Sequence, residues 1–154
     1  MNLSTHVAVG ATVGYLSKDP ILGFFAGFIS HHIIDQIPHA DGGSFDIDVK
    51  DFARDQRILT IVAIDLVLVI MLGLFIFTVH GVYWPIILGA FGGALPDLID
   101  NMPFWSPNLR KKIPFNYYHK FHEFFHFTII DSKYLFVGIL TQLLLILISL
   151  KLLI

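Results

Sequence analysis

Between Ile58 and Val79 the chain runs 22 residues with a single charge, Asp65, and between Tyr134 and Leu150 it has no charge at all. At about 1.5 Å of rise per residue, segments of this length reach across the ~30 Å hydrocarbon core of a bilayer when helical. Lipid offers no partner for backbone N–H and C=O groups, so an isolated apolar run that crosses it must be a helix. Both runs are therefore predicted spanning helices. Over all 154 residues, a hydrophobic content of 55%, a charged content of 14% and a mean hydropathy of +0.72 extend that reading to the whole chain. Segments 20–37 and 82–100 are equally long but carry Gly, Pro and polar residues, which a bundle tolerates where they face protein. Segment 4–17 is shorter, and the sequence predicts that it pairs with the next in a hairpin closed at Lys18-Asp19-Pro20. The expected fold is all-α: one membrane-embedded domain, 1–154, made of five to six helices.

Several functional classes are excluded early. Met1 to His6 has no basic region, so a cleaved signal peptide is not expected. Cysteine is absent, which removes thiolate ligands and disulfides. A net charge of -2 offers no basic surface for nucleic acid. With the first two segments as a hairpin, the loops 38–57 and 101–113 fall on one side of the membrane. Six of the ten basic residues, Lys50, Arg54, Arg57, Arg110, Lys111 and Lys112, lie in these loops, which predicts that this side is the cytoplasmic face of the cell (inner) membrane. The aromatic stretch 114–127 fits an interfacial helix with Tyr at headgroup depth. The competing topology is a hairpin of 114–130 with 132–153.

Two stretches 65 residues apart repeat one another. Residues 20–39 and 85–104 align without gaps, matching at Pro20/Pro85, Ile21/Ile86, Gly27/Gly92, Ile34/Ile99, Asp35/Asp100 and Pro38/Pro103. The aligned pair His32/Asp97 differs in type, yet both side chains bind metals. Glycines at four-residue spacing, Gly10/Gly14, Gly23/Gly27 and Gly89/Gly93, predict close helix packing. Polar residues preserved in a duplicated apolar segment point to paired work.

The candidate ligands gather at one predicted face. On a helix Asp35 shares a side with either His31 or His32, and Asp97 and Asp100 repeat the spacing. Pro38 and Pro103 are expected to stop the two helices, leaving free carbonyls and partial negative charge toward a bound cation. His39 and Asp41 follow at once. His119, His122 and His126 fall within one arc of a helical wheel with Glu123 at its edge, and His6 begins segment 4–17 on the same side. Asp65, inside the apolar run, is expected to take a histidine or metal partner, in an outer role to the site. Imidazole and carboxylate without thiol suit zinc, manganese or iron, and the number of ligands allows one to three ions. For a general base Glu123 and Asp41 are the candidates. Glu123 with Lys120, and Arg54 with Asp51 or Asp55, read first as solvated surface charges. The stretch SFDIDVKDFARD lacks the calcium-loop pattern and reads as a solvated connector.

Thr5-His6 with Gly10, GFISHHIIDQIPH, GALPDLID and HEFFH resemble the motifs of the membrane-bound metal-dependent hydrolases, a family similar to zinc-dependent phospholipase C. The resemblance covers most of the chain and implies a helical bundle with a His/Asp zinc site acting on a phosphoester. It also implies that His6 is the N-terminal histidine, Asp97 and Asp100 the PDxxD pair, His122 and His126 the HxxxH pair, and His31 or His32 with Asp35 the SHxxxD pair. The PD motif here follows the SHxxxD motif, whereas the family has the reverse order, and two equivalent half-sites could exchange roles. The family's HRG is absent, His122 being followed by Glu123-Phe124-Phe125. The expected function is a metal-dependent hydrolase of phosphoester or lipid-like substrates, with membrane lipid as partner. The alternatives are a divalent-cation transporter or channel component, and a non-catalytic scaffold in which His and Asp pair with one another.

Overall fold

The computed structural model describes residues 1–45, 54–102 and 104–154. Lys50, Asp51, most of the acidic connector and the helix-stopping role of Pro103 lie outside the described residues. Among the described residues the protein is all-helical: α1 (Leu3–Ser17), α2 (Pro20–Ile34), α3 (Gln56–His80), α4 (Trp84–Asp100), the single turn α5 (Ser106–Leu109), α6 (Phe115–Phe125) and α7 (Leu135–Leu153).

Local chemistry sets these boundaries. α1 ends at Lys18, which takes the left-handed conformation (φ 57°). Asp19 then starts α2 by accepting from the Ile21 and Leu22 amides, with Pro20 in the first turn where its missing N–H costs nothing. The predicted hairpin at Lys18-Asp19-Pro20 is thus present. Asp55 starts α3 in the same way, accepting from the amides of Arg57 and Ile58. α6 has 11 residues and stops at Phe125, after which the chain is extended. That extended piece runs beside residues 35–39: Phe127 N–H donates to Asp35 O at 2.8 Å and Ile129 N–H to His39 O at 2.8 Å. Of the two topologies open for 114–130, the short helix before the last long helix is the one observed.

α1 is the central element, packed on α2, α4, α7 and α3. Glycines make its contacts with α2 and α4 possible. A Cβ at Gly10 would lie 2.5 Å from the Gly89 carbonyl oxygen, one at Gly23 would lie 2.7 Å from that of Pro85, and Gly27 meets the Gly89 backbone still more closely. The predicted glycine pairs are therefore the interlock of α1, α2 and α4, with backbone against backbone. α2 and α4, the repeated segments, run in the same direction and bring their C-terminal ends together.

α3 and α7 flank this trio with little of their own surface covered. Both are long and apolar enough to cross a membrane, and only 17% of the apolar window of each is buried. Leu66, Val67, Ile70, Met71, Leu74 and Phe77 of α3 are exposed, as are Phe136, Leu140, Leu144 and Leu147 of α7. Contiguous apolar surface of this extent marks an interaction face. α1 and α2, at 15 residues each, would span about 22 Å and fall short of the hydrocarbon core.

The two ends of the bundle differ. At one end His80 bonds Leu153 O and packs against Tyr15. The start of α1, the end of α2, the start of α3, the end of α4, α6 and the start of α7 all lie at the other. Arg54, Arg57, Arg110, Lys111 and Lys112 belong to this second end, where the polar residues are buried.

Candidate metal centre

Asp35 closes α2 at the centre of the polar end and is fully buried. Its Oδ1 lies 3.2 Å from His6 Nε2 and 2.7 Å from the Met1 amino group. Its Oδ2 lies 3.2 Å from His31 Nε2, 3.6 Å from His122 Nε2 and 3.9 Å from His126 Nε2. One carboxylate is shared by imidazoles from α1, α2, α6 and the segment after α6.

Around it the donors divide into two halves. In the first, His6, His31 and His122 face Asp97, whose carboxylate oxygens stand 3.6, 3.9 and 3.8 Å from their Nε2 atoms. In the second, His39 and His126 face Asp41 at 3.0 and 3.2 Å. Three sets of donors are compact enough to hold a metal ion: His6, His31 and Asp97; Asp35, His39 and His126; and His31, His32 and His122.

The outer hydrogen bonds decide which nitrogen of each ring faces inward. His31 Nδ1 donates to Gly93 O at 2.8 Å, His39 Nδ1 to Ile37 O at 2.9 Å and His122 Nδ1 to Asp100 Oδ2 at 3.0 Å. Thr128 Oγ1 gives its proton to Asp41 Oδ2 at 3.1 Å, so it accepts from His126 Nδ1 at 3.1 Å. In the neutral rings all four Nε2 atoms therefore turn lone pairs inward. His31 Nε2 stands 3.1 Å from His122 Nε2, and His39 Nε2 stands 3.3 Å from His126 Nε2. Lone pairs at that distance, next to carboxylates that only accept, repel unless a proton or a cation lies among them. Both ring nitrogens of His6 and Asp35 Oδ2 are buried without a hydrogen-bond partner. Inward lone pairs with Nδ1 anchored on carbonyl or carboxylate is the donor arrangement that divalent metals take, so these residues fit a metal.

Protonation follows the same geometry. Burial lowers His122, and the Asp100 and Asp35 carboxylates more than reverse this, pushing the imidazole up to about 9, so in the metal-free protein His122 supplies the proton that lies among the facing lone pairs.

The predicted residues do not all share one role. His6, His31, Asp35, His39, Asp97, His122 and His126 converge, and Asp41 joins them. Of the adjacent pair, His31 faces Asp35 and Asp97, while His32 lies against Phe28, Phe121, Phe125 and Tyr118 with both ring nitrogens unpartnered, and offers a donor only together with His31 and His122. Asp100 stands one layer out. It accepts from His122, from His119 Nδ1 at 2.9 Å and from Arg110 Nε at 2.9 Å. Asp35 and Asp100 hold equivalent places in the repeat and do different work.

One expectation is corrected. Asp65 accepts from the amides of Leu3 at 2.7 Å and Ser4 at 3.0 Å rather than from a histidine, because α3 brings it against the start of α1, where free amides need an acceptor. Glu123 is exposed on α6, whereas the adjacent His122 is buried. Residues that sequence reasoning missed are Thr128, which has no signal beyond lying two places after His126, and Gln142, the sole amide or acid in the last apolar run. No known family, curated protein or solved structure matches this chain.

Proposed function

We propose that this chain is an integral membrane protein that holds divalent metal, zinc foremost, in its two-part His/Asp group and hydrolyses a phosphoester or lipid-like substrate at the cytoplasmic membrane face. The observation that carries the reading is Asp35, a single buried carboxylate set between two clusters of imidazoles whose Nε2 atoms face it. Membrane insertion is supported by the uncovered apolar faces of α3 and α7. Exposed aromatics at both ends, Trp84 at one and Trp105 and Tyr117 at the other, fit the two interfaces, and the basic residues at the polar end favour a cytoplasmic orientation.

His6, His31, His122 and Asp97 would hold metal on one side of Asp35, and His39, His126 and Asp41 on the other. When bound, such ions supply Lewis-acid polarisation of a phosphoryl oxygen and acidify water. The chain's own contribution is orientation: Gly93 O, Ile37 O, Asp100 and Thr128 fix the four imidazoles. The resemblance to membrane-bound metal-dependent hydrolases agrees in ligand type. Between the level of Asp65 and that of His80, α3 has no ionisable side chain, and α7 has none before Lys151, which disfavours a conduction path for cations.

The test is turnover by detergent-purified, zinc-loaded protein on a panel of phosphodiesters and lipid phosphates, with cation flux in proteoliposomes run alongside. Release of phosphate or headgroup that is lost in Asp35→Ala is the expected result. Metal-loaded protein without turnover overturns the hydrolase reading, and flux without turnover replaces it with transport.

A further inference from the structure

Gln142 lies in the apolar helix α7, seven residues or about 10 Å from its start, and is buried. A primary amide on a lipid-flanked helix is costly unless both of its ends are bonded. Here Oε1 accepts from Asn2 N–H at 2.8 Å, and Nε2 donates to Ala40 O at 2.8 Å and to Gly138 O at 3.1 Å. Asn2 is the residue from which α1 starts, one turn before His6. Ala40 sits between His39 and Asp41. One side chain thus ties the helix that carries His6, in the first half of the group, to the loop that carries two donors of the second.

The rest of α7 supports that tie. Thr141 Oγ1 donates to Pro38 O at 3.0 Å, and a Cβ on Gly138 would lie 2.5 Å from Ala40 N, so loop 38–41 lies directly on the α7 backbone. His39 and Asp41 have no regular helix to hold them. Their place is set by these bonds and by the strand-like pairing with residues 127–129.

We propose that Gln142 is a positioning residue that fixes loop 38–41 against the start of α1, and so sets the spacing between the two halves of the metal group. This rests on the metal reading above and adds to it the residue that couples the halves. Cobalt(II) gives a test that does not depend on activity, since its visible absorption reports ligand geometry. Gln142→Met keeps the length of the side chain and loses both bonds; Gln142→Glu keeps the acceptor for Asn2 and loses the donor to Ala40. In an optical titration the wild type is expected to take up two Co2+ per chain. Both variants should keep the first step and bind the second about 10- to 100-fold more weakly with a changed spectrum, the range seen when outer hydrogen bonds of metal ligands are removed. Where Gln142→Met does not fold, Gln142→Glu carries the test. A second step unchanged in the variants, or both steps weakened alike, overturns the proposal while leaving the metal reading in place. Wild type that takes up no Co2+ overturns both.

Discussion

Asp100 Oδ2 holds His122 Nδ1 at 3.0 Å, and this bond turns His122 Nε2 toward Asp35 Oδ2, 3.6 Å away. Asp100 therefore acts on the group through His122. Asp100→Ala is expected to lower zinc affinity about 10- to 100-fold while leaving saturable binding intact. Competition with a chromophoric chelator measures it, and wild-type affinity in the variant would remove Asp100 from this role.

Metal uptake should depend on pH through the same histidine. Its imidazole is pushed up to about 9 in the metal-free protein, so at neutral pH it carries a proton that must leave before the nitrogen can bind a cation. Affinity should therefore rise as pH increases from about 6 toward 9, by up to about tenfold per unit from this group, and level off above it. Zinc affinities at stepped pH values check the sign. A flat profile, or one that falls, contradicts a charged His122 in the metal-free state.

Asp65 is expected to matter for folding more than for chemistry. Asp65→Ala leaves the Leu3 and Ser4 amides buried at the start of α1 without their acceptor, at a cost of about 1–3 kcal/mol. Thermal unfolding in detergent should show a lower midpoint, partly recovered in Asp65→Asn, which keeps one acceptor oxygen. An unchanged midpoint would return Asp65 to the search for an ionic partner.

Features decided by neighbours in the chain were legible in the sequence. The turn at Lys18-Asp19-Pro20 needs only its own residues, and the glycine pairs announce close packing whatever the partner. The gathering of His and Asp at one end follows from helix lengths and directions. What could not be read depends on how helices rotate against one another. Asp35 shares a helix face with both His31 and His32, and only the positions of α1 and α4 bring His31 inward. Asp35 and Asp100 are equivalent in the repeat, but α6 lies against Asp100 and draws its carboxylate onto His119, His122 and Arg110. The roll of α6 likewise turns Glu123 outward. Gln142 and Thr128 gain meaning only through residues 102 and 87 positions away in the chain.

Metal content of the purified protein, set beside that of Asp35→Ala, tests the central claim most directly. The expected result is stoichiometric divalent metal, near two ions per chain, in the wild type and at most a trace in the variant, with both proteins helical by circular dichroism. Metal-free wild type that stays so after incubation with zinc, or equal metal in the two proteins, would contradict a cation group built around Asp35.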